Sequence, residues 1–196
     1  MVVGSDLVAL EYQRYGRNKD TLVNKSYIES GEYRRKFDMI SDNKEVSRVL
    51  YAKAKEMLNH RSGTKIEDMY WIDGKTGEIV ACALDEKNES SVLYTESINK
   101  AISGRPNLIA MHTHPQSMPP SDADFNSVFR YKYSKALVLC HDGKVFQYTA
   151  DEPVNGTLYD MYVQEFSNSG LSKFDSQIKA LKKLKENYDI DFWEVK

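Results

Sequence analysis

The sequence predicts an α/β protein in which a mixed, mainly antiparallel sheet is flanked by helices, with extra helices at both ends. Short apolar runs at strand spacing alternate along the chain with amphipathic segments at helical spacing. Two pairs of these runs are joined by turn-rich connections, residues 73–77 and 141–144, which is typical of β-hairpins. A first helix, then strands with a helix inserted, then helices at the end is the order of a mixed α/β sandwich.

The length of 196 residues suits a single domain with its own hydrophobic core. Residues 1–41 are rich in Tyr, Arg, Lys and Asp, so we expect a loosely packed N-terminal arm with short helical pieces near residues 27–37. Residues 42–150 form the predicted main domain. Residues 151–196 form a predicted C-terminal helical extension that packs on the same domain.

The individual elements follow from apolar periodicity and from capping and turn residues. Asp42 or Asn43 can cap a first long helix that ends near Asn59, and its apolar face is expected to pack on the sheet. An apolar strand at residues 108–111 leads directly into His112. The other predicted strands are 69–72, 78–84, 136–140, 145–149 and 190–195. The other predicted helices are 95–102, 121–133, 158–166 and 172–188.

The composition argues against several classes of partner. With 27 Lys and Arg against 29 Asp and Glu, the net charge of -2 offers no basic surface for nucleic acid. No stretch approaches the roughly 18 apolar residues that span a bilayer, and the N-terminus lacks the pattern of a signal peptide. Cys82 and Cys140 lie far apart in apolar runs and are interpreted as reduced core residues. We therefore expect a cytoplasmic protein without a nucleic-acid or membrane partner.

Two of the four histidines, His112 and His114, stand two residues apart at the end of the apolar strand. Side chains at this spacing in a strand project from the same face, so both imidazoles can converge on one metal ion at about 2.0–2.1 Å. A lone histidine is more often structural, which is how we interpret His141 in the second hairpin turn. The paired histidines instead indicate a metal site.

The segment Ser121-Asp122-Ala123-Asp124 supplies the acidic ligand that such a site needs. A carboxylate in the first helical turn after a short loop can swing back toward the strand end, so Asp124 is the predicted third ligand and Asp122 the reserve. The spacing of Ser121 and Asp124 is also that of a capping box, which would fix both side chains. Three protein ligands leave a fourth position open for water.

His112-Thr113-His114-Pro115 followed by Ser121-x-x-Asp124 resembles the signature of the JAMM family of zinc metalloproteases, also called JAB or MPN-plus, in its bacterial or bacteriophage-type members. Six residues separate His114 from Ser121, one fewer than in the family's usual pattern. The resemblance covers roughly residues 43–150 and implies a sandwich like that of JAMM proteins and cytidine deaminases. It also implies Zn²⁺ held by both histidines and Asp124, with Ser121 helping to stabilise an oxyanion.

The family also requires an upstream glutamate that deprotonates the attacking water. Glu67 stands just before the first predicted strand, where the resemblance places this general base, and Glu56 on the preceding helix is the substitute. The implied reaction is hydrolysis of a peptide or isopeptide bond in a protein or peptide substrate, ubiquitin-like proteins included. His60 and residues 61–64 precede Glu67 and are interpreted as capping or turn residues near the rim of the site.

Other classes of protein are alternatives to the zinc hydrolase. A zinc deaminase needs a downstream Pro-Cys-x-x-Cys, and neither cysteine has a partner at that spacing. A two-metal phosphoesterase or nuclease needs more ligands, whereas only His60 and His141 remain beside the pair. The alternative function is a JAMM-like interaction or assembly module with little or no catalysis, such as the domains encoded beside bacteriophage head-assembly genes. The complete ligand set favours the enzyme.

Overall fold

The computed structural model describes residues 19–85, 87–89 and 92–196. Their strands form one six-stranded sheet in the order β2-β1-β3-β4-β5-β6. The strands are β1 (Met69–Asp73), β2 (Ile79–Ala83), β3 (Leu108–His114), β4 (Lys135–Cys140), β5 (Val145–Ala150) and β6 (Ile190–Glu194). The described residues also form seven α-helices, namely α1 (Lys25–Ile28), α2 (Gly31–Asp38), α3 (Lys44–Arg61), α4 (Glu96–Ile102), α5 (Asp122–Tyr131), α6 (Gly156–Asn168) and α7 (Lys173–Leu184).

The sheet is mixed because a single neighbouring pair of its described strands, β3 and β4, runs parallel. The other neighbouring pairs are antiparallel, and two of them, β1–β2 and β4–β5, are hairpins. A parallel pair needs a crossover connection, and here that connection carries α5. The start of α5 therefore lies near the end of β3.

Apolar side chains from the two faces of the sheet form two separate cores. Helices α2 and α3 cover one face, where Leu50 and Met57 of α3 pack against Ile72 of β1 and Met111 of β3. Helices α4 to α7 cover the other face, where Trp71 of β1 is completely buried together with residues of α5 and α7. Alternation of side chains along β1, β3, β4 and β5 places apolar residues in both cores.

The predicted α/β class with a mixed, mainly antiparallel sheet and helices on its faces is confirmed, and so is each predicted strand and helix within the described residues. The differences lie at the ends of elements. The first long helix begins at Lys44, because the Asn43 side chain accepts a hydrogen bond from the backbone N–H of Glu45 at 2.9 Å. It packs on the sheet as expected.

Two expectations about packing are wrong. Residues 19–41 are not loosely packed, because Ile28, Tyr33 and Phe37 of helices α1 and α2 are completely buried. The part of that expectation that concerns residues 1–18 lies outside the described residues. Cys82 is exposed and not a core residue, since β2 is an edge strand, whereas Cys140 is buried as expected.

The chain ends on the same sheet on which the N-terminal helices pack. The ammonium group of Lys36 in α2 donates a hydrogen bond to the carbonyl oxygen of Val195 at 2.9 Å, in a buried contact. Strand β6 pairs with β5 through residues 190–194. Among the described residues, no helix combines the length and the apolar character needed to cross a bilayer.

We predict that Gly143→Ala lowers the free energy of unfolding by more than about 1 kcal/mol. Gly143 has φ +91°, and a Cβ atom there would lie 2.5 Å from the Tyr27 ring. The control is Gly31→Ala at the first position of α2, where a Cβ meets no atom within 4 Å and alanine favours the helix. Urea unfolding of both variants measures the difference, and equal stabilities would contradict this account of the turn.

Candidate metal centre

The two histidines lie at the C-terminal end of β3 with their side chains on the same face of the sheet. Their Nε2 atoms are 3.0 Å apart, and the ring planes meet at 70°. Thr113 between them is buried and belongs to the opposite face. Because β1 and β4 pair with β3 on both sides, this strand end is held in the interior of the sheet. The structure thus brings both predicted histidine ligands together.

Asp124 reaches the same point from the first turn of α5. Its Oδ1 is 3.2 Å from Nε2 of His112, and its Oδ2 is 3.5 Å from Nε2 of His114. Burial raises the pKa of Asp124, but the two histidines and the backbone hydrogen bond from Ser121 outweigh it and hold the pKa well below its usual value. The group is therefore an anionic carboxylate at neutral pH.

Ser121 fixes Asp124 through a capping box at the start of α5. The backbone N–H and the hydroxyl group of Ser121 donate to Asp124 Oδ2 at 2.7 and 2.9 Å, and the backbone N–H of Asp124 donates to Ser121 Oγ at 3.3 Å. The capping interpretation of this spacing is confirmed. It also explains how a carboxylate on a helix keeps a fixed position beside a strand.

The short loop before α5 sets the tautomer of His114. The Nδ1 atom of His114 is 2.9 Å from the carbonyl oxygen of Met118. Since a carbonyl only accepts, Nδ1 carries the proton, and in the neutral ring Nε2 keeps its lone pair. A hydrogen bond of this kind is typical of metal-binding histidines. The loop of six residues between His114 and Ser121 thus provides the Nδ1 partner that a metal-binding His114 would need.

His112 differs from His114 in this respect. Its Nε2 faces Asp124 and His114, but its Nδ1 is buried and has no hydrogen-bond partner among the described residues. A ring that binds a metal through Nε2 carries its proton on Nδ1, and an unpartnered buried donor costs about 1–3 kcal/mol. The donor set therefore fits a metal ion. Of the two histidines, His114 has a hydrogen-bond partner for its Nδ1 and His112 has none among the described residues.

Glu67 lies just before β1, with Oε1 at 4.0 Å from Nε2 of His114. One ligand atom from each of Glu67, His112 and His114 lies within 4.8 Å of the others, so these three also form a group that can hold a metal ion. Burial raises the pKa of Glu67 to about 7, His114 lowers it in part, and the charge of Asp124 adds to the rise. A carboxyl group with a pKa near neutrality is suited to accept and return a proton.

Asp68 holds Glu67 in place and is a residue that the sequence analysis missed. Its side chain is fully buried between Arg61 and His60. Oδ1 of Asp68 lies 2.5 Å from Nε of Arg61, and Oδ2 lies 2.7 Å from Nδ1 of His60. Its backbone N–H donates to Thr113 Oγ1 at 3.0 Å, and its carbonyl accepts from the Thr113 N–H at 3.1 Å. His60 and Arg61 thus anchor the segment that carries Glu67.

The two reserve candidates lie away from the histidine pair. Glu56 is on the other face of the sheet, where it accepts a hydrogen bond from the Tyr70 hydroxyl at 2.6 Å and pairs with Lys53. Asp122 points toward Gly156 at the start of α6. Its Oδ2 is so close that a Cβ atom built on Gly156 would lie 2.5 Å from it. Neither residue replaces Glu67 or Asp124 in this arrangement.

His141, which we interpreted as structural, is buried in the β4–β5 turn. Its Nδ1 is 2.6 Å from the carbonyl oxygen of Thr21, so it ties the turn to the N-terminal segment. Burial lowers the pKa of His141, which favours the neutral ring.

Two depressions of the surface meet at Glu67, His114 and Ser121. The first has a volume of about 210 Å³ and extends toward Tyr94 and Tyr133. The second has a volume of about 450 Å³ and extends along the loop after β3 toward α7. The site therefore has open space on two sides.

Comparisons of the chain with models of protein families, with characterised proteins and with solved structures find no match.

We predict that Asp68→Ala lowers the free energy of unfolding by about 3–5 kcal/mol, because it leaves the buried guanidinium group of Arg61 without its carboxylate partner. The control is Glu165→Ala, which removes the exposed ion pair with Lys183 and is expected to change stability little. Urea unfolding at neutral pH compares the two variants. Similar losses for both would show that the Arg61–Asp68 pair does not hold this segment.

Proposed function

We propose that this protein is a zinc-dependent hydrolase of JAMM type that cleaves a peptide or isopeptide bond in a protein or peptide substrate. The observation that carries the proposal is the convergence of His112, His114 and Asp124 on one point, with the Nε2 atoms 3.0 Å apart and a carboxylate oxygen facing each. The predicted JAMM-like sandwich belongs to the same proposal, and the order of strands and the place of α5 are consistent with it.

The donor chemistry supports zinc as the ion. Two imidazole nitrogens and one carboxylate are ligands that catalytic zinc sites use, and the fixed tautomer of His114 presents a lone pair to the centre. When bound, a zinc ion supplies Lewis-acid activation of a water molecule and of the substrate carbonyl group. The ionised carboxylate of Asp124 offsets positive charge at the centre.

Glu67 is the proposed general base. Glu67 borders both depressions, and its Oε1 lies 4.0 Å from Nε2 of His114. Oε1 would accept a proton from the attacking water and then give it to the nitrogen of the leaving amine. The two hydrogen bonds between Asp68 and Thr113 would hold the neighbouring Glu67 carboxylate at the strand end during both proton transfers.

Ser121 has two roles in the proposal, as a cap and as a donor to the substrate. Its hydroxyl group donates to Asp124 Oδ2, and it also borders both depressions. Rotation about the Cβ–Oγ bond would turn this proton toward a carbonyl oxygen that gains negative charge, while Oγ still accepts from the backbone N–H of Asp124. The backbone N–H of Ser121 would continue to hold Asp124.

We predict that the protein, purified without chelators, binds about one zinc ion per chain. His114→Ala and Asp124→Ala are expected to lose that zinc, whereas Glu67→Gln keeps it because Glu67 is not a ligand in the proposal. Metal content after dialysis, measured by plasma mass spectrometry, tests the assignment. Loss of zinc from Glu67→Gln with retention in Asp124→Ala would instead make Glu67 the third ligand, as the compact Glu67–His112–His114 group allows.

Folded wild-type protein that binds no zinc when zinc is supplied would contradict the hydrolase and favour the interaction or assembly module. Circular dichroism of each variant shows whether it is folded.

We predict that Glu67→Gln lowers the rate of cleavage of a peptide or ubiquitin-like substrate by about 100- to 10,000-fold. Ser121→Ala is expected to lower it by about 100- to 1,000-fold if the hydroxyl donates to the oxyanion. The assay follows products of a peptide library by mass spectrometry in the presence of zinc. A Ser121→Ala variant that is less stable but retains the full rate would restrict Ser121 to its capping role.

A further inference from the structure

We propose that the smaller depression is a specificity pocket that receives one uncharged aliphatic side chain, of valine to leucine size, next to the bond that is cleaved. The inference rests on the proposed hydrolase function, because it concerns the substrate of that site. The substrates would be peptides or amides with such a residue beside the scissile bond.

Away from the metal centre, the walls of the pocket are mainly apolar or aromatic, and Ser127 is the polar exception. Met69 and Val92 line it together with Tyr94, Tyr133 and Tyr148. Within the described part of the chain no lysine or arginine lines this pocket. An incoming charged side chain would lose water without gaining a partner of its own, which is costly, whereas an aliphatic side chain gains from burial.

The charged groups at the mouth of the pocket are already engaged. Asp124 faces both histidines and accepts two hydrogen bonds from Ser121. Glu67 stands beside His114, with Oε1 at 4.0 Å from Nε2. With a divalent ion bound, the charges of the ion and of the two carboxylates largely offset each other, so the site offers little net attraction to a charged side chain of either sign.

The aromatic wall is fixed in advance by its own contacts. Tyr94 stacks on Tyr131 with ring centroids 4.8 Å apart, and Tyr131 stacks on Tyr133 at 5.7 Å. The indole N–H of Trp71 donates to the Tyr133 hydroxyl at 2.7 Å, and that hydroxyl donates to the Tyr94 hydroxyl at 3.3 Å. The Tyr94 hydroxyl in turn donates to Met69 Sδ at 3.6 Å. A wall held in this way is a preorganised surface for a side chain.

The size of the pocket limits what it takes. Its volume of about 210 Å³ is below the roughly 300 Å³ at which pockets for whole small ligands begin. Part of that space adjoins His112 and His114 and belongs to the reacting groups. The remainder suits a single side chain, while the larger and more polar depression, with Lys65, Gln116 and Gln177 on its walls, takes the rest of the substrate.

The test measures binding to the full chain and needs no catalysis. N-acetyl amino acid amides of leucine, valine, glycine, lysine and aspartate are titrated into zinc-loaded and zinc-free protein labelled with ¹³C at the methionine methyl groups. Met69 lines the pocket, and its signal is assigned with Met69→Leu. We expect the leucine and valine amides to shift this signal and to bind about tenfold or more tightly than the glycine amide.

Two variants at one position provide the control. Ser127 lines the pocket one helical turn after Asp124, so Ser127→Leu fills the space and is expected to abolish the shift, whereas Ser127→Ala keeps it. Lysine or aspartate amides that bind as tightly as the leucine amide would overturn the proposal. So would a leucine amide no better than the glycine amide, or no shift with any probe. Selective leucine binding by a folded protein that binds no zinc when zinc is supplied would support the pocket and contradict the hydrolase, so the two proposals fail separately.

Discussion

Strand β3 runs through the middle of the sheet, and the alternation of its last three side chains determines the geometry of the site. His112 and His114 face one core, and Thr113 between them faces the other. Thr113 exchanges two hydrogen bonds with Asp68, so the strand that presents the histidines also positions the segment that carries Glu67. A slip of one residue in the pairing of β3 would turn both histidines to the opposite face and separate them from Asp124.

The connection from β3 to α5 combines stability with ligand placement. Its Met118 carbonyl sets the tautomer of His114, and its last residue, Ser121, caps α5. Oδ2 of Asp124 accepts both hydrogen bonds of that cap and also lies near His114, while Oδ1 faces His112, so much of the cost of burying the charge is offset by hydrogen bonds and by the histidines. In the proposed metal centre, helix stability and metal affinity would therefore both depend on this carboxylate.

The fold was largely predictable because the strands carry regular alternation and the turns carry typical residues. The spacing of His112, His114 and Asp124 was equally visible in the sequence, since each side chain depends on local geometry. Asp68 was not predictable, because its partner Arg61 lies at the end of α3 and only the packed structure brings the two together. The burial of Tyr33 was missed for a similar reason, since polar neighbours in sequence concealed a face that α3 covers.

X-ray absorption spectroscopy at the zinc edge of the zinc-loaded wild-type protein would identify the ligands of the proposed centre. We predict two imidazole nitrogens and carboxylate or water oxygens at about 2.0–2.2 Å. A sulfur ligand at about 2.3 Å would place zinc elsewhere and contradict the assigned centre, because both cysteines are free and neither belongs to it. So would ligation without imidazole.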